Sequence, residues 1–161
     1  MKLRFLVCAV SAIVDEATKN VSITSILEQL ASPIFPAAIP ISVVANFVRQ
    51  ASEPDSADIR LSFKIDDQPL MDQPVTIQFQ GNLGTRLIAQ INPLIVPQPG
   101  RLIAEIRAKK KKLGDWEIDV KKAGNEMLLS NLPATAGASE RAAKKARKKA
   151  VAKKKKSKAK K

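Results

Sequence analysis

Apolar and polar side chains alternate through most of the first 122 residues. In "DIRLSFKID", Ile59, Leu61, Phe63 and Ile65 alternate with Asp58, Arg60, Ser62, Lys64 and Asp66. In "VTIQFQ", Val75, Ile77 and Phe79 alternate with Thr76, Gln78 and Gln80, and in "DWEIDVKK" Trp116, Ile118 and Val120 alternate with charged residues. A period of two sends successive side chains to opposite faces of an extended chain, so each run reads as a strand with one buried and one wet face. Turn chemistry separates the runs: "EPDSA", "DDQPLMDQP" at 66–74, "GNLG" at 81–84, "PQPG" at 97–100 and "KKKKLGD" at 109–115. Strands are therefore expected at 2–14, 21–30, 40–49, 57–66, 74–80, 84–92, 100–108 and 115–122. About eight short antiparallel strands of this kind predict an all-β fold, a two-sheet antiparallel β-sandwich. "SPIFPAAIP" carries Pro33, Pro36 and Pro40, which donate no ladder hydrogen bond, and it reads as a crossing from one sheet to the other.

The opening run, "MKLRFLVCAVSAIV", departs from strict alternation. Two basic residues followed by apolar ones suggest an export signal, but cleavage after Val10-Ser11-Ala12 leaves only Phe5 to Val10 as the apolar stretch, short of the roughly 7 to 15 residues such a signal uses. The alternative is a central strand with two apolar faces: Leu3, Phe5, Val7, Ala9 and Ile13 on one, Leu6, Cys8, Val10, Ala12 and Val14 on the other. "DEATKN" then turns the chain into a hairpin with Val21, Ile23 and Ser25. The strand reading, together with a single cysteine and hence no disulfide framework, predicts a cytoplasmic protein.

Three stretches, "NVSITSILEQLASPIFPAAIPISVVANF", "IRLSFKIDDQPL" and "VPQPGRLIAEIRAKKKKLGDWEIDV", resemble an uncharacterised domain-of-unknown-function family of small bacterial β-sandwich proteins over about residues 2–122. Phe35, Pro36 and Pro40 match its proline crossing, and Pro99 and Gly100 match the turn before its closing hairpin. Gln68, where a glycine is common, and Leu102, where a tyrosine is common, depart from the pattern. The resemblance implies a compact β-sandwich and no functional residues.

Charge divides the chain in a way that hydropathy does not. Of the net +13, +12 lies in residues 139–161, where thirteen Lys and Arg face a single acid, Glu140. The preceding 138 residues carry fifteen basic and fourteen acidic groups. The organisation read from this is a sandwich domain at 1–126, a linker at 127–138 around "NLPATAGA", and a Lys/Ala-rich basic tail at 139–161.

No reaction is specified by the domain. It has no His and no Tyr, and its one thiol, Cys8, falls in an apolar strand where the thiolate is disfavoured. No nucleophile and base pair suggests itself, so a non-enzymatic protein without cofactor is expected. Asp66, Asp67 and Asp72 in one loop, or Asp55 and Asp58 in another, lack the central Gly and terminal Glu of a calcium loop. They read as turn residues bonding their own backbone, and no metal site is expected. Phe5, Phe47, Phe63, Phe79 and Trp116 fall in phase with apolar neighbours, which predicts core rather than a stacking platform for bases.

The tail, "SERAAKKARKKAVAKKKKSKAKK", carries the functional signal. Ala, Lys and Arg favour helix and Ser139 is a good N-cap, while lysine repulsion opposes it, so a disordered or transiently helical tail is expected. Arg141, Lys144, Lys145, Arg147, Lys148, Lys149, Lys153, Lys154, Lys155, Lys156, Lys158, Lys160 and Lys161 form the expected nucleic-acid contact. It is non-specific and salt-sensitive, driven by counterion release. In composition alone the tail resembles the Ala/Lys-rich extensions of linker histones. Its apolar residues are Ala and Val151, too small for stable membrane insertion. Lys109, Lys110, Lys111 and Lys112 at a hairpin tip offer a secondary basic contact, or a solvated turn that discourages edge pairing. The rival reading is an assembly module: the sandwich binds a protein partner, and the tail docks an acidic partner or membrane surface or only aids solubility.

Overall fold

The computed structural model describes residues 1–124. Nine strands run β1 (Lys2–Val14), β2 (Val21–Ile26), β3 (Gln29–Ser32), β4 (Ala37–Val48), β5 (Ser56–Ile65), β6 (Gln68–Gln78), β7 (Gly84–Val96), β8 (Gly100–Ala108) and β9 (Lys111–Lys122). Two sheets of order β2-β1-β4-β7 and β3-β9-β8-β5-β6 share one core, so the chain is an all-β sandwich. The tail, its expected helical or disordered state and the linker at 127–138 lie outside the described residues.

Period-two alternation builds the five-stranded sheet directly. Ile59, Leu61, Phe63 and Ile65 of β5 sit beside Leu102, Ala104 and Ile106 of β8, then Ile118 and Val120 of β9. All of these side chains are buried. At about 1.5–3 kcal/mol for each large side chain withdrawn from water, this layer and its counterparts on β1 and β4 are the main source of stability.

The expected strand at 21–30 is two strands in different sheets. β2 closes a hairpin on β1, and the Leu27 amide still donates to the Cys8 carbonyl at 2.8 Å. The chain then crosses: Trp116 Nε1 donates to the Leu27 carbonyl at 2.7 Å, the Asp119 amide donates to the Glu28 carbonyl, and β3 pairs with β9. That pairing is parallel, against the antiparallel expectation. Leu27 turns into the core at this step, fixing the switch. Phe35 and Pro36 lie between β3 of one sheet and β4 of the other, as a crossing should. Pro40 instead lies inside β4, in an irregularity between Ile39 and Ile41 where no ladder donor is needed.

Two turn assignments shrink. The stretch at 66–74 is a two-residue turn, Asp66-Asp67, and β6 starts at Gln68. Pro69 and Pro74 are tolerated because β6 is an edge strand. Asp72 is therefore a strand residue, and it accepts two hydrogen bonds from Arg60 at 2.9 Å rather than bonding its own backbone. Asp66 bonds the Arg101 amide at 3.0 Å, and a Cβ at Gly100 would lie 2.6 Å from its Oδ2. That close approach is what Gly100 permits. The lysine turn likewise contracts to Lys109-Lys110, with β9 beginning at Lys111.

The first strand contradicts its expected faces. Its pairing with β4 slips between Leu3 and Phe5, so Arg4 is an extra residue and the alternation reverses. Leu3 points inward, with its Cδ2 2.6 Å from where a Cβ on Gly114 of β9 would sit. Phe5 points outward and is 47% exposed. Phe47, Phe63 and Phe79 are buried and Trp116 packs on the core, as expected, but Phe5 is not a core residue. Val10, Ile13 and Val14 are exposed as well, so β1 is not covered on both faces.

Candidate nucleic-acid interface

The β8–β9 hairpin holds the one predicted basic contact among the described residues. Lys109 and Lys110 form its turn, with Lys109 at a φ of 53°, and Lys111 and Lys112 open β9 opposite Ala108 and Arg107. All four are exposed. Lys112 Nζ lies 3.0 Å from Asp115 Oδ1 and is held to the strand. Lys109, Lys110 and Lys111 make no ion pair among the described residues and line a cleft of about 1040 Å³.

The floor of that cleft is built from Ile59, Phe79, Ala108 and Leu113, with Arg60, Asp58 and Glu53 around it. Its polar groups are mostly committed to partners within the fold. Arg60 is bidentate to Asp72, and the Thr76 hydroxyl donates to Asp58 at 2.8 Å. The Met1 ammonium donates to Glu53, holding that carboxyl below the usual range with help from the Gln50 amide and the Arg49 charge. Arg49 ties this end of the sandwich together. It donates to Asp55 at 2.9 Å and to the Glu53 carbonyl at 2.7 Å, and its guanidinium lies 5.5 Å from the Phe79 ring centroid. The three lysines are what is left to bind a ligand. An ammonium on a flexible stem suits a phosphate oxygen as a point contact, without base readout.

Arg60 was not legible as a cleft residue from sequence, nor Arg49 as the residue that ties its rim together. Arg60 is an outward position in β5, but only the antiparallel register with β6 brings it to Asp72. The acidic turn residues do not converge on a cation position: Asp55 pairs with Arg49, Asp58 with Thr76, Asp66 with the Arg101 amide and Asp72 with Arg60. Among the described residues no group of three or more His, Cys, Asp or Glu is arranged to hold a metal ion. Cys8 is buried, and burial pushes its thiol up to about 12.

The thirteen basic residues of the tail, between Arg141 and Lys161, lie outside the described residues. Neither the models of known protein families nor the sequences of curated proteins match this chain.

Proposed function

We propose that this protein binds nucleic acid without sequence preference through its basic tail, and that the tail tethers the β-sandwich to the polyanion. The observation that carries the reading is the segregation of charge: +12 of the net +13 lies in residues 139–161, beside a domain close to neutral. Lysines approaching a phosphate chain release condensed counterions, and that gain needs no particular base sequence. Lys109, Lys110 and Lys111 add an uncommitted cationic rim on the domain itself. The full chain and a chain ending at residue 133 are compared for binding to random duplex DNA and to RNA across a salt series. The full chain is expected to bind with log K falling steeply against log salt, at a slope of roughly −5 to −10, and the shortened chain to lose that binding. Equal binding by both chains with little salt dependence, or no binding by either, overturns the proposal and favours a protein partner of the sandwich.

A further inference from the structure

The four-stranded sheet contains no carboxylate. Strands β1, β2, β4 and β7 include no Asp or Glu, and their charged residues are Lys2, Arg4 and Arg86. None of these three forms an ion pair among the described residues. The register arranges the outward face of this sheet in rows across β1, β4 and β7: Lys2, Val48 and Gly84, then Phe5, Asn46 and Arg86, then Val7, Val44 and Ile88. The middle row sets an exposed aromatic ring, a carboxamide and an exposed guanidinium side by side, with Phe5 and Arg86 on the order of 10 Å apart across two strand spacings. Val7, Val44 and Ile88 form an apolar bed on one side of the ring, and the cations Lys2 and Arg4 stand on the other.

We infer that this face binds single-stranded nucleic acid, with one base stacked on Phe5 and neighbouring phosphates held by Arg86 and Lys2. The inference rests on the proposed nucleic-acid function and adds the form of the ligand. A polyanion is favoured over other occupants by charge complementarity, because four strands free of carboxylates offer it three cations and no repulsion. A ring lying on a sheet surface reaches the face of an unpaired base, whereas a duplex presents only base edges and backbone. Asn46, between ring and guanidinium, supplies donor and acceptor groups for a base edge. The β-bulge at Arg4 creates the arrangement: without the extra residue the ring of Phe5 would fall on the core side.

The test compares full-length wild type with Phe5→Ala, Phe5→Leu and Arg86→Gln for binding to oligo(dT) and to a blunt duplex, with melting curves as a check on folding. Phe5→Ala and Phe5→Leu are each expected to weaken oligo(dT) binding by about fivefold to 100-fold while leaving duplex binding unchanged. Arg86→Gln is expected to reduce the salt slope on oligo(dT) by about 0.7 and not to alter it on the duplex. Unchanged oligo(dT) binding, an equal loss on both ligands, or rescue by leucine overturns the inference while leaving tail-driven binding in place. Absence of binding to either ligand overturns the proposed function as well. Loss of binding to anionic phospholipid vesicles alone, or a micromolar dimer broken by Phe5→Leu, reassigns the face to a membrane surface or to a second copy.

Discussion

The outward faces of the two sheets differ more than their inward faces do. The five-stranded sheet carries Arg60–Asp72, Arg107–Glu105, Arg101–Glu117, Lys112–Asp115 and Lys121–Asp119 ion pairs, a lattice of opposite charges set by cross-strand and same-strand neighbours. The four-stranded sheet carries Phe5, Val7, Val44 and Ile88 beside three cations, Lys2, Arg4 and Arg86, with no acidic residue in any strand. Both faces belong to sheets stabilised by the same shared core, so the contrast is not demanded by the fold. A lattice that neutralises itself suits contact with water, where each exposed pair is worth little and chiefly discourages edge-to-edge association. A face with cations and no counter-charge leaves its electrostatic partner to come from outside.

The contrast can be broken first at its centre. Val44 points away from the core yet is only 2% exposed, with Val7 and Ile88 as its cross-strand neighbours. Val44→Asp places an unpaired carboxylate there and is expected to cost about 4 kcal/mol or more in urea denaturation. A cost below about 1 kcal/mol would show that this face opens freely to water.

On the charged face the informative position is Glu105, which is 4% exposed and bonded by Arg107 Nε. Arg107→Ala strands a buried carboxylate, so it is expected to lower the urea midpoint clearly, whereas Arg101→Ala, whose partner Glu117 is exposed, should leave it nearly unchanged. Equal effects of the two substitutions would mean that Glu105 is reached by water in solution.

The smallest effect is in pH dependence. Hydrogen bonds from Arg60, its charge, and the charge of Arg107 hold the Asp72 carboxyl below the usual carboxylate range. A depressed native value means that the unfolded chain binds the proton first. The contribution of Asp72 is therefore present above the unfolded carboxylate pKa of about 4 and lost as pH falls through the lower folded value. Asp72→Asn is expected to be slightly less stable than wild type at pH 7 and to converge with it as pH falls below about 4, which flattens the acid limb. A parallel acid limb in the variant would show that the Arg60 pair does not persist in solution.

Local pattern carried the strands further than it carried their surroundings. Runs such as "DIRLSFKID" and "DWEIDVKK" read correctly because one face of each is charged and the other apolar, which leaves a single way to bury them. "KLRFLVCAV" has apolar residues on both faces, so alternation could not say which face meets the core. Within the candidate interface the lysine run at 109–112 was legible as a cationic hairpin tip. The row of Phe5, Asn46 and Arg86 was not, because its members are up to 81 residues apart and meet only through the β1–β4–β7 register.

Sequence alone determined the all-β class, the segregation of positive charge into residues 139–161 and the proline crossing before β4. Each of these follows from residue chemistry summed over a short window. Tertiary structure alone decided the parallel pairing of β3 with β9, the inward turn of Leu3 and the exposure of Phe5. These depend on pairing partners distant in the chain. A one-residue bulge against β4 exchanges the two faces of β1, and the local pattern does not mark where that bulge falls.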